Sequence, residues 1–156
     1  MAFRFTEQHA MSLVAPHLFP GEQVVARARG EEIPWYSAMF FGGRLFTKLW
    51  FVVATNQRIL FVQHGGLLSG WSAKKTEAFA WPQLDALSLG WGIFNKVLFA
   101  KSAAQKLARR VIIRRFWMKG NFDAANVMVG TWKTNHISLP PAPMVGHLPA
   151  YAAPMG

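Results

Sequence analysis

Residues 49–64 read Leu49-Trp50-Phe51-Val52-Val53-Ala54-Thr55-Asn56-Gln57-Arg58-Ile59-Leu60-Phe61-Val62-Gln63-His64. Two runs rich in β-branched and aromatic residues flank the polar pair Asn56-Gln57, which is the pattern of a β-hairpin. With Thr55 opposite Arg58, side chains alternate between the faces. Val53/Leu60 and Phe51/Val62 then fall on one face, and Ala54/Ile59 and Val52/Phe61 on the other. A hairpin at the edge of a simple sandwich is apolar on one face only. Here both faces are apolar, so both need a cover. The second cover is Glu7–Ala15, the Trp35–Phe41 segment, or another chain.

Composition widens the same point. The 156 residues are 52% hydrophobic before the 13 glycines are counted, whereas an average domain reaches about 45–50% with glycine included. Such an excess is more than one small core needs and points to a partner, a membrane or a second copy. Lys and Arg number 17 against 7 Asp and Glu, giving a net charge of +10 and a pI near 10.8. That balance favours anionic partners: nucleic acid, acidic lipid or an acidic protein. With no cysteine, disulfides, zinc-thiolate sites and thiol catalysis are excluded. The first residues lack the apolar core and cleavage site of a signal peptide, and no run approaches the roughly 20 apolar residues of a spanning helix. The expectation is a cytoplasmic protein with no transmembrane segment, the inner face of the membrane being its alternative station.

Along the chain, Thr6 suits the cap of a short helix over Glu7–Ala15 that Pro16 ends. Gln23–Glu31 reads as a strand with Val25, Arg27 and Arg29 on one face and Val24, Ala26 and Ala28 on the other. Ile33–Lys48 has no clear period, and Pro34 and Gly42-Gly43 argue for a loop or short helix. Beyond the hairpin, strand-like runs recur at about Lys75–Trp81, Leu84–Gly90, Lys96–Lys101 and Arg110–Trp117. Ser102 and Gln105 fit a capping box, so a helical turn is expected through Lys106–Arg109. Asn121 suits an N-cap for a helix to about Thr134, with Phe122, Ala125, Met128, Val129 and Trp132 on one face. The Pro/Ala-rich remainder is a linker or docking strand. The expected division is a helical extension at 1–17, one domain at 18–134 and a tail at 135–156.

Seven strands closed by a C-terminal amphipathic helix carrying a Trp is the plan of the pleckstrin-homology (PH) superfold. Leu18-Phe19-Pro20-Gly21-Glu22, the Thr55–Val62 hairpin, Phe79-Ala80-Trp81-Pro82-Gln83-Leu84 and Trp132 resemble its bacterial PH-like branch. The resemblance spans roughly Leu18–Lys133. It implies a mainly β (α+β) fold: a partly open seven-stranded sandwich or barrel, closed by a C-terminal α-helix, here with an extra short N-terminal helix. It also implies a binding role and frequent self-assembly, but no phosphoinositide specificity.

Catalysis has little to stand on. Glu31 and Glu32 are adjacent, so on a strand they face opposite ways and make no acid/base pair. The histidines His9, His17, His64, His136 and His147 lack metal-ligand spacing. Ser72-Ala73-Lys74-Lys75 matches S-x-x-K without its companion motifs, and no phosphate-cradling glycine loop exists. No catalytic residue, metal or cofactor is expected.

The basic residues say more. Between Ala86 and Phe122 lie eight Lys/Arg (Lys96, Lys101, Lys106, Arg109, Arg110, Arg114, Arg115, Lys119) and no acid. They form either a solvated sheet face or an anion-binding surface. The residues assigned to an anionic partner or lipid are Arg27, Arg29, Arg44, Lys48, Arg110, Arg114 and Arg115. Trp35, Tyr36, Met39, Phe40 and Phe41, flanked by cations, suit a subunit interface or a membrane-interfacial loop. The expected function is therefore a non-catalytic binding or assembly module, a homo-oligomer or complex subunit with a basic face for an anionic partner. The alternative is a peripheral membrane module that binds acidic lipids through residues 33–48. Non-specific nucleic-acid binding ranks third.

Overall fold

The computed structural model describes residues 7–33, 47–65 and 73–137. Helix α1 spans Glu7–Val14 and tightens into a 3-10 turn at Ala15–His17, where Pro16 cannot continue it. The strands are β1 (Val24–Glu32), β2 (Lys48–Thr55), β3 (Arg58–His64), β4 (Ala73–Ala80), β5 (Ala86–Gly90), β6 (Asn95–Ser102) and β7 (Leu107–Arg114). Helix α2 spans Asn121–Ile137. All strand pairs are antiparallel, in the order β4-β3-β2-β1-β7-β6-β5. The end strands β4 and β5 do not pair, so the seven-stranded sheet stays open. This is the mainly β arrangement expected: an open seven-stranded sheet with a C-terminal helix and a short N-terminal one.

The hairpin has the expected register: Phe51 faces Val62, Val52 Phe61, Val53 Leu60 and Ala54 Ile59. Its two faces enter two different cores. Trp50, Val52, Ala54, Ile59 and Phe61 join β5–β7 and the Ala125/Met128 side of α2 in the main core. Phe51, Val53, Leu60 and Val62 are fully buried beneath Ala10, Leu13 and Val14. Of the three covers open to the sequence, the helix that begins at Glu7 lies there, and the Trp35–Phe41 segment is outside the described residues. Burying each large apolar side chain contributes about 1.5–3 kcal/mol. That packing, rather than intrinsic propensity, holds an eight-residue helix too short to persist alone.

One guanidinium secures the approach to this cover. Arg58 donates to both carboxylate oxygens of Glu22 (2.8 Å each) and to the His17 carbonyl (2.6 Å), and lies 3.8 Å from the Phe19 ring centre. The Thr55 hydroxyl, 2.7 Å from Glu22, accepts the amides of Gln57 and Arg58. The Pro20-Gly21-Glu22 and Thr55–Arg58 motifs thus touch each other. Hydrogen bonds from Arg58 hold the Glu22 carboxyl at about 2, against the opposing pull of burial.

Strands β1 and β7 share only two pairs, Gly30–Ile113 and Glu31–Ile112. A Cβ on Gly30 would lie 2.4 Å from Val111 Cγ1 and 2.7 Å from the Ile112 carbonyl, so only glycine admits β7 here. Beyond the crossing, the Asn121 carboxamide replaces the ladder. Its oxygen accepts from Arg29 N (2.8 Å), and its nitrogen donates to the carbonyls of Arg29 (2.8 Å) and Arg114 (2.7 Å). Asn121 is therefore not the N-cap expected of it. The Gly120 carbonyl accepts the first helical bond, from Ala124 N, while the Asn121 side chain splices α2 to the strands.

Three further expectations are corrected. No helical turn crosses Lys106–Arg109: Lys106 adopts φ +50°, and strand pairing resumes at Leu107. The Gln105 side chain bonds Ala78 O and Gln83 instead of reaching back to close a capping box. Strand β7 ends at Arg114 rather than Trp117, and α2 continues to Ile137 rather than stopping near Thr134. Side-chain bonds from Thr134 and Asn135 to the carbonyls four residues earlier accompany that last turn.

Candidate functional site

The cations that look like one set in sequence are divided by the fold. Arg109 points inward from β7 and forms a two-pronged ion pair with buried Glu77 of β4, which Lys75 also contacts at 2.8 Å. Burial pushes the Glu77 carboxyl up, but Arg109 and Lys75 outweigh it and hold it below its ordinary value. Arg109 also lies 5.4 Å from the Trp50 ring, whose indole N–H donates to Glu32 (2.9 Å).

Arg114 pairs with buried Glu31 across the β1–β7 crossing. Arg29 and Arg114 lie 5.2 and 5.5 Å from the Trp117 ring. Burial lowers the pKa of Arg29. The sheet engages two of the cations assigned to an anionic partner: Arg29 is desolvated against an aromatic ring, and Arg114 has its carboxylate. Arg27 is half-buried on the same face as Arg29. Glu31 and Glu32 do face opposite ways, as their adjacency requires. Trp35, Tyr36, Met39, Phe40, Phe41 and Arg44 lie outside the described residues.

Lys48, Arg110 and Arg115 remain exposed, as do Lys101, Lys106 and Lys119. Lys101 and Arg110 follow the outer side of β6 and β7. Lys96, Arg115 and Lys119 gather instead around a groove of about 610 Å3 beside the first turns of α2. Lys96 is positioned there by Asn126 Oδ1 (3.2 Å) and by the Phe122 ring, 5.1 Å away.

At and beside this groove stand apolar side chains that the charge pattern does not reveal. In the β5–β6 connection Trp91 is 86% exposed, Phe94 66% and Ile93 58%, and Phe116 after β7 is 80% exposed. These are the most exposed large apolar side chains among the described residues. The two segments are tied where Arg115 N donates to Phe94 O (3.0 Å). A Cβ on Gly92 would lie 1.9 Å from the Asn95 carbonyl, so the tight path of this connection requires glycine there. A second groove, of about 670 Å3, lies on the other side of Phe116, between Val25, Arg27, Met118 and Val127.

The cue missed in the sequence is Gly90-Trp91-Gly92-Ile93-Phe94: apolar residues interleaved with glycine in a strand connection, where polar turn residues are the rule. His64, by contrast, is a structural residue. Buried at the end of β3, it donates from Nδ1 to Gly65 O (2.8 Å), and burial lowers its pKa to about 4, so it stays neutral near pH 7. Among the described residues no three His, Cys, Asp or Glu stand close enough to hold a metal ion. No helix among them is long and apolar enough to cross a membrane.

No family model matches the chain, and no curated protein does. The solved structures that are similar include two. The C-terminal domain of an unknown protein from Leishmania infantum shares 10% identity over 81% of this chain and 94% of that one, with a TM-score of 0.46. The hSac2 domain from human phosphoinositide phosphatase Sac2 shares 8% identity over 83% and 78%, with a TM-score of 0.48.

Proposed function

We propose that this chain is a non-catalytic binding module of the bacterial PH-like kind whose cationic surface receives an anionic partner. One observation carries the reading: most of the described acids are engaged within the fold, whereas many of the cations stay exposed. Glu22, Glu31 and Glu77 sit in ion pairs, Glu32 accepts the Trp50 indole, and Asp85 accepts the Ala103 amide. Arg110, Arg115, Lys101, Lys106 and Lys119 stay exposed. The outward field is therefore strongly positive, which accelerates encounter with polyanions. The same engagement of carboxylates leaves few groups for general acid or base work, which supports a binding role over an enzymatic one.

The test is binding to a soluble polyanion, heparin, as a function of salt. Affinity falls with rising salt as counterions are released, and each of Arg115→Ser and Lys119→Ser flattens the logarithmic slope by about 1. Absence of binding at low salt overturns the proposal. The expectation of self-assembly rests on the two-faced hairpin, whose outer face α1 covers, and on the Trp35–Phe41 segment, which lies outside the described residues. Light scattering in high salt decides its place: a mass well above 17.5 kDa makes assembly part of the function.

A further inference from the structure

We infer that the anionic partner is an acidic lipid bilayer, entered by the tips of Trp91, Ile93, Phe94 and Phe116 while Lys96, Arg115 and Lys119 stay at the level of the lipid phosphates. This rests on the binding-module reading and names its partner.

Three features converge. The exposed apolar side chains belong to two connections rather than to a strand face, and the Arg115–Phe94 backbone bond brings those connections side by side. The four therefore form one projection. Rings and a branched alkyl group left in water at the end of a projection gain most by entering an apolar layer. Secondly, cations stand directly behind them: Arg115 precedes Phe116 in the chain, and Lys96 and Lys119 line the groove that Trp91 borders. Apolar tips backed by Lys and Arg are the arrangement that seats a protein at a headgroup boundary, where long cationic side chains reach the phosphates. Thirdly, the acidic leaflet attracts each cation held near its surface.

Other occupants fit less well. In a symmetric pair formed through this surface, the patch meets itself, so Lys96, Arg115 and Lys119 would face their own copies. Single-stranded nucleic acid stacks its bases on rings set along a track. Here the rings stand on connection tips, and Ile93 has no ring face to offer. Positive charge and projecting apolar tips together complement an acidic bilayer.

The chain has no cysteine, so one label reports one site. Full-length protein carrying Phe94→Cys or Lys74→Cys, each with an environment-sensitive fluorophore, is mixed with phosphatidylcholine vesicles with or without phosphatidylglycerol. Sedimentation is expected only with phosphatidylglycerol, with a blue shift at position 94 and none at 74. Since about 1.4 kcal/mol is tenfold in affinity and a large apolar side chain contributes at least that on burial, Trp91→Ser with Phe116→Ser should weaken sedimentation about a hundredfold and leave heparin binding unchanged. Arg115→Ser with Lys119→Ser weakens both. Heparin binding without vesicle binding overturns the bilayer inference and leaves the binding module standing. So does vesicle binding with no blue shift and no effect of the tip variant, which is surface adsorption alone. Binding to an oligo-dT strand that the tip variant abolishes, with vesicles ignored, assigns the surface to nucleic acid. Loss of heparin and vesicle binding together removes the module reading as well.

Discussion

The β2–β3 and β5–β6 connections join neighbouring strands of one sheet and are chemically opposite. At the first, Thr55, Arg58 and Glu22 hold one another, and the two turn residues are polar. At the second, the turn is apolar, its side chains stand in water, and its geometry depends on a close backbone approach at Gly92. The first turn needs nothing outside the chain. The second exposes apolar surface that nothing among the described residues covers. A turn that serves the fold satisfies its groups locally, whereas one that serves a partner leaves them unsatisfied.

Substitutions sharpen this contrast, beginning where the effect is largest. Arg58→Ala leaves the buried Glu22 carboxylate without its partner, and loss of one member of such a pair costs about 3–5 kcal/mol, read by urea unfolding. The same pair has a pH signature. Glu22 titrates at about 2 in the fold against 4.5 as its ordinary value, so its contribution is complete above pH 4.5 and is lost as pH falls towards 2. Arg58→Ala should remove that part of the acid slope; an unaltered slope would mean the pair does not control it.

Gly92→Ala comes next. The added methyl group meets the Asn95 carbonyl, and forcing room for it costs about 1–3 kcal/mol. Thr55→Val keeps the shape but removes the acceptor for two turn amides, an expected loss of about 1 kcal/mol by the same measurement. The smallest effect is the most telling. Trp91→Ser with Phe116→Ser deletes two large rings and should leave stability within about 0.5 kcal/mol of the parent per site, as at ordinary surface positions. A cooperative loss of several kcal/mol would show that these rings are folding elements, and the contrast between the turns would collapse.

Much of the fold is legible in the sequence, for a physical reason. The hairpin strands are apolar on both faces, so the polar pair between them sets the turn and the turn sets the register, which is the one observed. The amphipathic face of α2 is legible from its spacing. Long-range pairing is not. Nothing local says that Glu31 will meet Arg114, or Glu77 Arg109, because those partners are joined by strand order rather than by spacing. Arg114 therefore reads as an open cation, and Asn121 as an ordinary cap. The candidate surface is hidden for a different reason. Charge counting finds Lys96, Arg115 and Lys119, but whether Phe116 packs inward depends on where β7 stops: the sequence pattern carries the strand to Trp117, whereas it ends at Arg114.

The Asn121 splice has a consequence for the order in which the chain folds. It binds Arg29 from 92 positions away, and contacts so distant in sequence form slowly because a long loop must close first. Helix α1 and the hairpin it covers both lie within residues 7–64, so the hairpin's outer side can be sealed before the later strands are made. Its inner side, with Trp50, Val52 and Phe61, has to wait for Ala125 and Met128. In that interval the half-built sheet is open to aggregation, and the docking of one asparagine side chain brings it to an end.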